Sequence, residues 1–389
     1  MTAAFTTQPT ALGAMKVAQR PTLSRMHAPT LQTIPAAVAA NVGRMRSATD
    51  ATIMAVVKAD GYGLGAVTVA RAAIDAGAEW LGITDVDDAA ELRIAGIEAP
   101  ILAWLNPSGV DVARAVADRV DIAVGSVDEL RQLIADAATL PPGRVRVHLH
   151  MDTGMSRGGV PLGDWAELLR LARSAAERIA VVGVMGHLPC ADAGDPAANA
   201  AAVLRMRQAR DAVLRVGFGP LIVHLAATAG TLTDPAAHFD MVRVGAGLVG
   251  IDPSETVSLQ GAARLTASVV QSSIVPAATA VGYGGAFVTE RQSRLAVIGV
   301  GYADGIPREL LAGASVAIDG IRCPLVGRVS MDQIVVDTGD VLAPRGATAV
   351  IFGPEGGAVP SMQEWARWSG SIPHTIVTGI GARVERAIA

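Results

Sequence analysis

Eight short apolar runs, each followed by a helix-like stretch, constrain this 389-residue chain more than any other feature. The runs are Ile53–Val57, Trp80–Thr84, Ile101–Leu105, Val120–Val124, Val145–Met151, Val181–His187, Leu221–Leu225 and Met241–Val244. Continuous apolar runs of this length fit strands covered on both faces, the condition of a parallel sheet. Between them lie alanine-rich amphipathic segments such as Val86–Ala95, Val127–Ala138, Leu162–Ala176 and Asn199–Val216. Eight strand–helix units in roughly 200 residues is the count of a closed (β/α)8 TIM barrel. A doubly wound open sheet is the alternative. The Gly61-Tyr-Gly-Leu-Gly65 stretch misses the dinucleotide-binding spacing, however, so a Rossmann domain ranks low.

After Leu259 the pattern changes to β-like runs with few helices. They are Val269–Val275, Leu295–Val300, Ala314–Ile318, Arg322–Val326, Gln333–Val336 and Ala349–Phe352. Asp319-Gly320 between two of them signals a hairpin, and Ser361 with Glu364 forms a capping box opening a helix over Met362–Trp368. The expected division is a poorly ordered tail (1–23), an α/β barrel (24–259) and a mostly antiparallel β domain (260–389). A net charge of −4 without charge runs argues against a nucleic-acid or membrane surface, and no apolar run approaches a bilayer span. Cys190 and Cys323 stand in unrelated contexts, which speaks against a disulfide framework or a zinc site and fits a reducing cytoplasm; no metal is expected.

In such a barrel the active site lies at the C-terminal ends of the strands. Strand one ends in Lys58; beyond strand five comes Asp152-Thr-Gly-Met-Ser-Arg157; strands six and seven end in His187 and His224; strand eight carries Arg243 before Gly245-Ala246-Gly247. A single strand-end histidine is ordinarily a core residue. Five basic or imidazole side chains at one end of independent strands are a site. A lysine after five apolar residues is desolvated and gives up its proton easily, which suits Schiff-base chemistry. The Thr228 hydroxyl and the amides of the Gly245–Gly247 turn form a phosphate cradle after strands seven and eight. Lysine and cradle together point to pyridoxal 5′-phosphate. Arg243, rather than a carboxylate, is the candidate partner of the pyridine nitrogen; an arginine keeps the ring a weaker electron sink and favours simple proton exchange at Cα. All three tyrosines, Tyr62, Tyr283 and Tyr302, adjoin glycine, which suggests exposed hydroxyls in turns.

These motifs resemble the alanine racemases, which are fold-type III pyridoxal-phosphate enzymes. The matching pieces are A-V-V-K-A-D-G-Y-G, H-M-D-T-G-M-S-R, G-H-L, H-L-A-A-T-A, M-V-R-V-G, V-G-Y-G, V-G-Y-A-D-G and V-G-R-V-S-M-D-Q, in family order along nearly the whole chain. The resemblance implies a barrel, a C-terminal β domain and a head-to-tail homodimer with shared sites, acting on a small amino acid. It casts Lys58 and Tyr283, the latter from the partner subunit, as the two catalytic bases on opposite faces of Cα. Arg157 is cast as the binder of the substrate carboxylate, with Tyr302 and Met331 lining the substrate entrance and carboxylate pocket. Arg243 meets the pyridine nitrogen with His187 behind it, and His224 supports the tyrosine. Tyr62, Thr228, Gly245 and Ala246 hold the phosphate.

The chain departs from the family at three places. His150 stands where many members carry a carbamylated lysine beside the arginine, Ala227 replaces an asparagine in the phosphate motif, and His374 replaces a tyrosine at the phosphate. The expected activity is interconversion of L- and D-alanine. The alternatives are a racemase for a larger amino acid, a pyridoxal-phosphate-binding regulatory protein and a decarboxylase of the same fold type. The second domain with Tyr283 counts against the regulatory reading. The R-C-P context of Cys323 counts against the decarboxylase.

Overall fold

The computed structural model describes residues 28–106, 109–141, 144–193 and 195–389; the tail 1–23 lies outside the described residues. The first strand, β1 (Thr30–Thr33), precedes the barrel, whose strands are β2 (Thr52–Val56), β3 (Trp80–Ile83), β4 (Ile101–Ala103), β5 (Val120–Val124), β6 (Val145–His150), β7 (Ile179–Met185), β8 (Ile222–Ala227) and β9 (Met241–Val244). Each pairs in parallel with the next, and β9 closes on β2 with Thr52 opposite Met241 and Ala55 opposite Val244. All eight apolar runs are therefore barrel strands. They form strands because helices cover their outer side chains, while Met54, Trp80, Leu102, Met185 and Met241 fill the lumen.

The crossover helices follow their local signals. Ser126 accepts the amide of Glu129 at 3.0 Å and opens the helix Val127–Ala138, which has the expected bounds. Asp195 caps Pro196–Arg215, three residues ahead of the expected start. The stretches 86–95 and 162–176 each begin with a 3₁₀ turn before the α-helices Ala89–Ile94 and Trp165–Ser174.

The second domain contains β10 (Ala263–Val275), β11 (Ala280–Val281), β12 (Phe287–Val288), β13 (Ser293–Ile298), β14 (Ser315–Ile318), β15 (Ile321–Pro324), β16 (Ile334–Asp337), β17 (Thr348–Phe352) and β18 (Glu385–Ile388). Asp319 and Gly320, with φ of 50° and 69°, make the two-residue turn of the β14–β15 hairpin. The Ser361–Glu364 capping box opens the helix Met362–Trp368 as its spacing predicts. β1 differs from the expected division at residue 24. It lies in this sheet, antiparallel to β10 and parallel to β18, so the chain begins the second domain's sheet before it enters the barrel. A four-residue run, T-L-Q-T, with one apolar side chain gave no periodic signal.

Candidate active site

A cavity of about 340 Å³ opens at the C-terminal end of the barrel strands, lined by Lys58, Arg157, His187 and Arg243 among others. Lys58 follows β2 and is half-buried. Burial, with the charges of Arg157 and Arg243 added, lowers its amine below the ordinary lysine pKa. From Ala59 to Tyr62 the backbone makes a left-handed turn, with φ of 53°, 52°, 59° and 61°. Residues four apart in such a turn share a side, so Lys58 and Tyr62 both face the cavity. The expectation that all three tyrosines expose their hydroxyls holds for two: Tyr62 is buried, which raises its phenol to about 12. Its Oη lies over Gly245, where an added Cβ would stand 2.2 Å from it. Only glycine fits there.

Thr228 and the Gly245–Gly247 turn are together, but buried rather than exposed. Thr228 Oγ1 accepts the amides of Gly245 at 3.3 Å and Gly247 at 3.0 Å. Its own proton has no acceptor among the described residues. Gly245, Ala246 and Thr228 line the cavity floor. His374 reaches in from the second domain's helix Pro373–Thr378, its ring 6.3 Å from that of Tyr62. His374 Nδ1 is buried without a hydrogen-bond partner. A free hydroxyl proton, an unpaired ring nitrogen and a half-buried lysine that line one cavity fit a phosphorylated aldehyde.

Arg157 follows β6 on a loop folded around Asp152, whose Oδ1 accepts the amides of Gly154 at 2.8 Å and Ser156 at 3.1 Å. Its side chain is exposed and, among the described residues, forms no ion pair. His150 sits beside it against Gly158 and Gly159. Burial, aided by the charges of Arg243 and Arg157, lowers His150 to about 4, so it is neutral and gives Arg157 no counter-charge.

Arg243 is almost completely buried, and burial lowers it to about 10, still protonated near neutrality. Nη2 donates to the Gly186 carbonyl at 2.7 Å and to His187 Nδ1 at 3.1 Å. Nη1 donates to His224 Nδ1 at 3.1 Å. Arginine only donates, so both imidazoles accept there and carry any proton on Nε2. Burial and the Arg243 charge lower His187 to about 3. His224 is not where the resemblance put it. It is fully buried beneath Arg243, does not line the cavity and bonds to His148 instead of facing a tyrosine.

Tyr283, Tyr302 and Met331 do not line the cavity of their own chain. They are 72%, 39% and 53% exposed on the second domain. The residue reading overlooked Trp104 and Asp192 in the cavity wall, and His148 and Asp121 beneath it. For His148 a signal existed: alternation in V-R-V-H-L-H puts Arg146, His148 and His150 on one strand face.

Two family models match the chain, one described as "Alanine racemase, N-terminal domain" over residues 35–253 and one as "Alanine racemase, C-terminal domain" over residues 262–388. The alanine racemase of Salinispora arenicola is 42% identical over 358 residues, covering 90% of this chain and 95% of that protein. The structure of alanine racemase from D-cycloserine-producing Streptomyces lavendulae superposes with a TM-score of 0.89 at 36% identity, covering 94% of this chain and 98% of that one. The structure of alanine racemase from Bartonella henselae with covalently bound pyridoxal phosphate has a TM-score of 0.82 at 26% identity, covering 93% and 99%.

Proposed function

The chain belongs to the alanine racemase family and is a pyridoxal-phosphate-dependent racemase, and from that premise we propose that it interconverts L- and D-alanine with Lys58 on one face of Cα and Tyr283 of the partner subunit on the other. Bound at Lys58, pyridoxal phosphate supplies an electron-withdrawing ring that acidifies the Cα proton. The rest of the chemistry belongs to the side chains. Tyr62, His374, Thr228 and the Gly245–Ala246 backbone, which line one cavity, would hold the phosphate. Arg243, whose Nε has no protein partner among the described residues, would offer that N–H to the ring nitrogen, and the high pKa of a guanidinium would keep the proton on arginine. Arg157 holds the substrate carboxylate, and having no ion pair among the described residues leaves its N–H groups for that task. Lys58, poised toward the neutral amine by burial and two neighbouring arginines, takes or returns the Cα proton on its side.

One observation carries the two-subunit reading. Lys58 lines the cavity, whereas Tyr283 is the most exposed of the three tyrosines and lies outside it. Inversion needs a second acid/base on the opposite face, and a head-to-tail dimer would bring Tyr283, Tyr302 and Met331 of one copy over the cavity of the other. The free cysteines Cys190 and Cys323 support a cytoplasmic setting, and among the described residues no helix is long and apolar enough to cross a membrane. The test mixes two inactive variants, Lys58→Ala and Tyr283→Phe, under conditions where subunits exchange. One site of each hybrid dimer then carries both wild-type residues, so up to about a quarter of wild-type activity should return by the statistics of random pairing. No recovery after demonstrated exchange would place both bases in one subunit.

A further inference from the structure

A line of polar side chains runs through the lumen of the barrel below Arg243, where the rest of the filling is apolar. His224 Nε2 meets His148 Nδ1 at 2.9 Å, and His148 Nε2 meets Asp121 Oδ2 at 3.3 Å. Asp121 Oδ1 accepts from Arg146 Nε at 2.7 Å, and Arg146 is half exposed at the opposite end of the barrel. His148 and His224 are completely buried and Asp121 nearly so. The four strands that carry these residues are β5, β6, β8 and β9, so the line must pass β7. It does so at Gly183, where a Cβ would stand 2.2 Å from His148 Nδ1. The Trp80 ring meets the His148 ring edge-on at 5.9 Å and packs it from the side.

The ends of the line fix its direction. Arg243 can only donate, so His224 Nδ1 accepts and its Nε2 holds the proton. That proton is donated to His148 Nδ1, which leaves His148 with its own proton on Nε2, pointing at a carboxylate that can only accept. Every link is satisfied in one direction and in no other. We propose that Asp121 is a positioning residue for Arg243, acting as its remote counter-ion through His224 and His148, each held as the Nε2–H tautomer. Among the described residues Arg243 has no carboxylate of its own; a direct one would hold the guanidinium more tightly and draw it from the ring nitrogen. Two imidazoles in between pass on orientation and part of the charge, as a partner behind a ligand does elsewhere. Burial alone would push the Asp121 carboxyl up, but the bonds from His148 and Arg146 outweigh it and hold it ionised.

The inference rests on the reading that Arg243 serves the cofactor ring, and its test separates the two. Histidine 15N spectra of the full chain, before and after loading with pyridoxal phosphate, report each tautomer among only seven histidines. His148 and His224 should both carry a proton on Nε2 and none on Nδ1 in either state. Asp121→Asn should disturb the His148 signals, shift the visible absorption of the loaded protein and lower kcat for alanine by roughly tenfold with KM little changed. Gly183→Ala should do the same by displacing the His148 ring without removing a polar group. An Nδ1–H tautomer at either histidine in the wild type overturns the proposal, and that measurement stands even if neither variant folds. Unchanged kcat in both folded variants, alongside a large loss in Arg243→Lys, also overturns it. If Arg243→Lys itself leaves kcat and the absorption unchanged, the assignment of Arg243 to the ring is what fails, and the tautomers still decide the hydrogen-bond line.

Discussion

His374 enters the cavity from the second domain, and its Nδ1 is among the few buried polar atoms without a partner. Burial, with the charge of Lys58 added, lowers its pKa, so the ring is neutral and can offer one donor and one acceptor. A tyrosine in that place would occupy more of the space beside the substrate methyl. One methylene in an apolar pocket discriminates by roughly 1–3 kcal/mol. We therefore expect His374→Tyr to raise the kcat/KM ratio of alanine over serine by up to about tenfold. Equal losses for both amino acids would mean that the site is already filled and the larger ring overpacks it. At this scale the sequence is readable where a residue lies at or just beyond the rim end of a barrel strand; His224, three residues short of the end of β8, is buried beneath the rim instead. Lys58, Arg157, His187 and Arg243 were found that way. Asp121 and His148 lie inside strands, where an apolar lumen is the ordinary expectation, and their polar character was passed over.

At the scale of an element, the Lys58–Gly63 turn is the least ordinary piece of the backbone. Ala59, Asp60 and Tyr62 are non-glycine residues in the left-handed region, each at a strain of about 1–2 kcal/mol. The turn is held from several sides. Asp60 Oδ1 accepts the Ala66 amide at 2.7 Å, the Asp60 carbonyl accepts the Gly65 amide at 2.9 Å, and Gly63 lies against the Val377 carbonyl of the second domain. Ala59 is exposed. Ala59→Gly should relieve its strain, less the roughly 0.5–1 kcal/mol that glycine adds to the entropy of the unfolded chain. The expected result is a melting temperature higher by roughly 2 °C with kcat unaffected. A lower melting temperature would show that the turn needs the stiffness of alanine. The glycines at 61, 63 and 65 announce a turn, but nothing in their spacing tells its hand. Strands and capped helices were easier, because apolar runs and Ser126 or Ser361 act locally. β1 and β18 escaped notice because each is short, half polar and defined only by its partner.

On the scale of the whole molecule the two domains are joined by more than the linker after the barrel. β1 lies between β10 and β18, and Leu31 is fully buried there. Thr33 Oγ1 also donates to the Leu64 carbonyl at 2.7 Å, tying this strand to the end of the lysine turn. A fragment of residues 260–389 would leave β18 without a neighbour and open an edge of β10. It should therefore show no cooperative melt by circular dichroism, and a peptide of residues 28–34 should restore one. A cooperative transition in the fragment alone would mean that β1 is dispensable. The same topology has a consequence for how the protein is made. β1 leaves the ribosome ahead of the entire barrel, whereas β18 follows everything else in the sheet. For most of translation a strand with unsatisfied backbone groups on both edges must wait, exposed to any other nascent chain. Its composition suits that delay: Thr30, Gln32 and Thr33 keep it wettable, and only Leu31 waits to be covered.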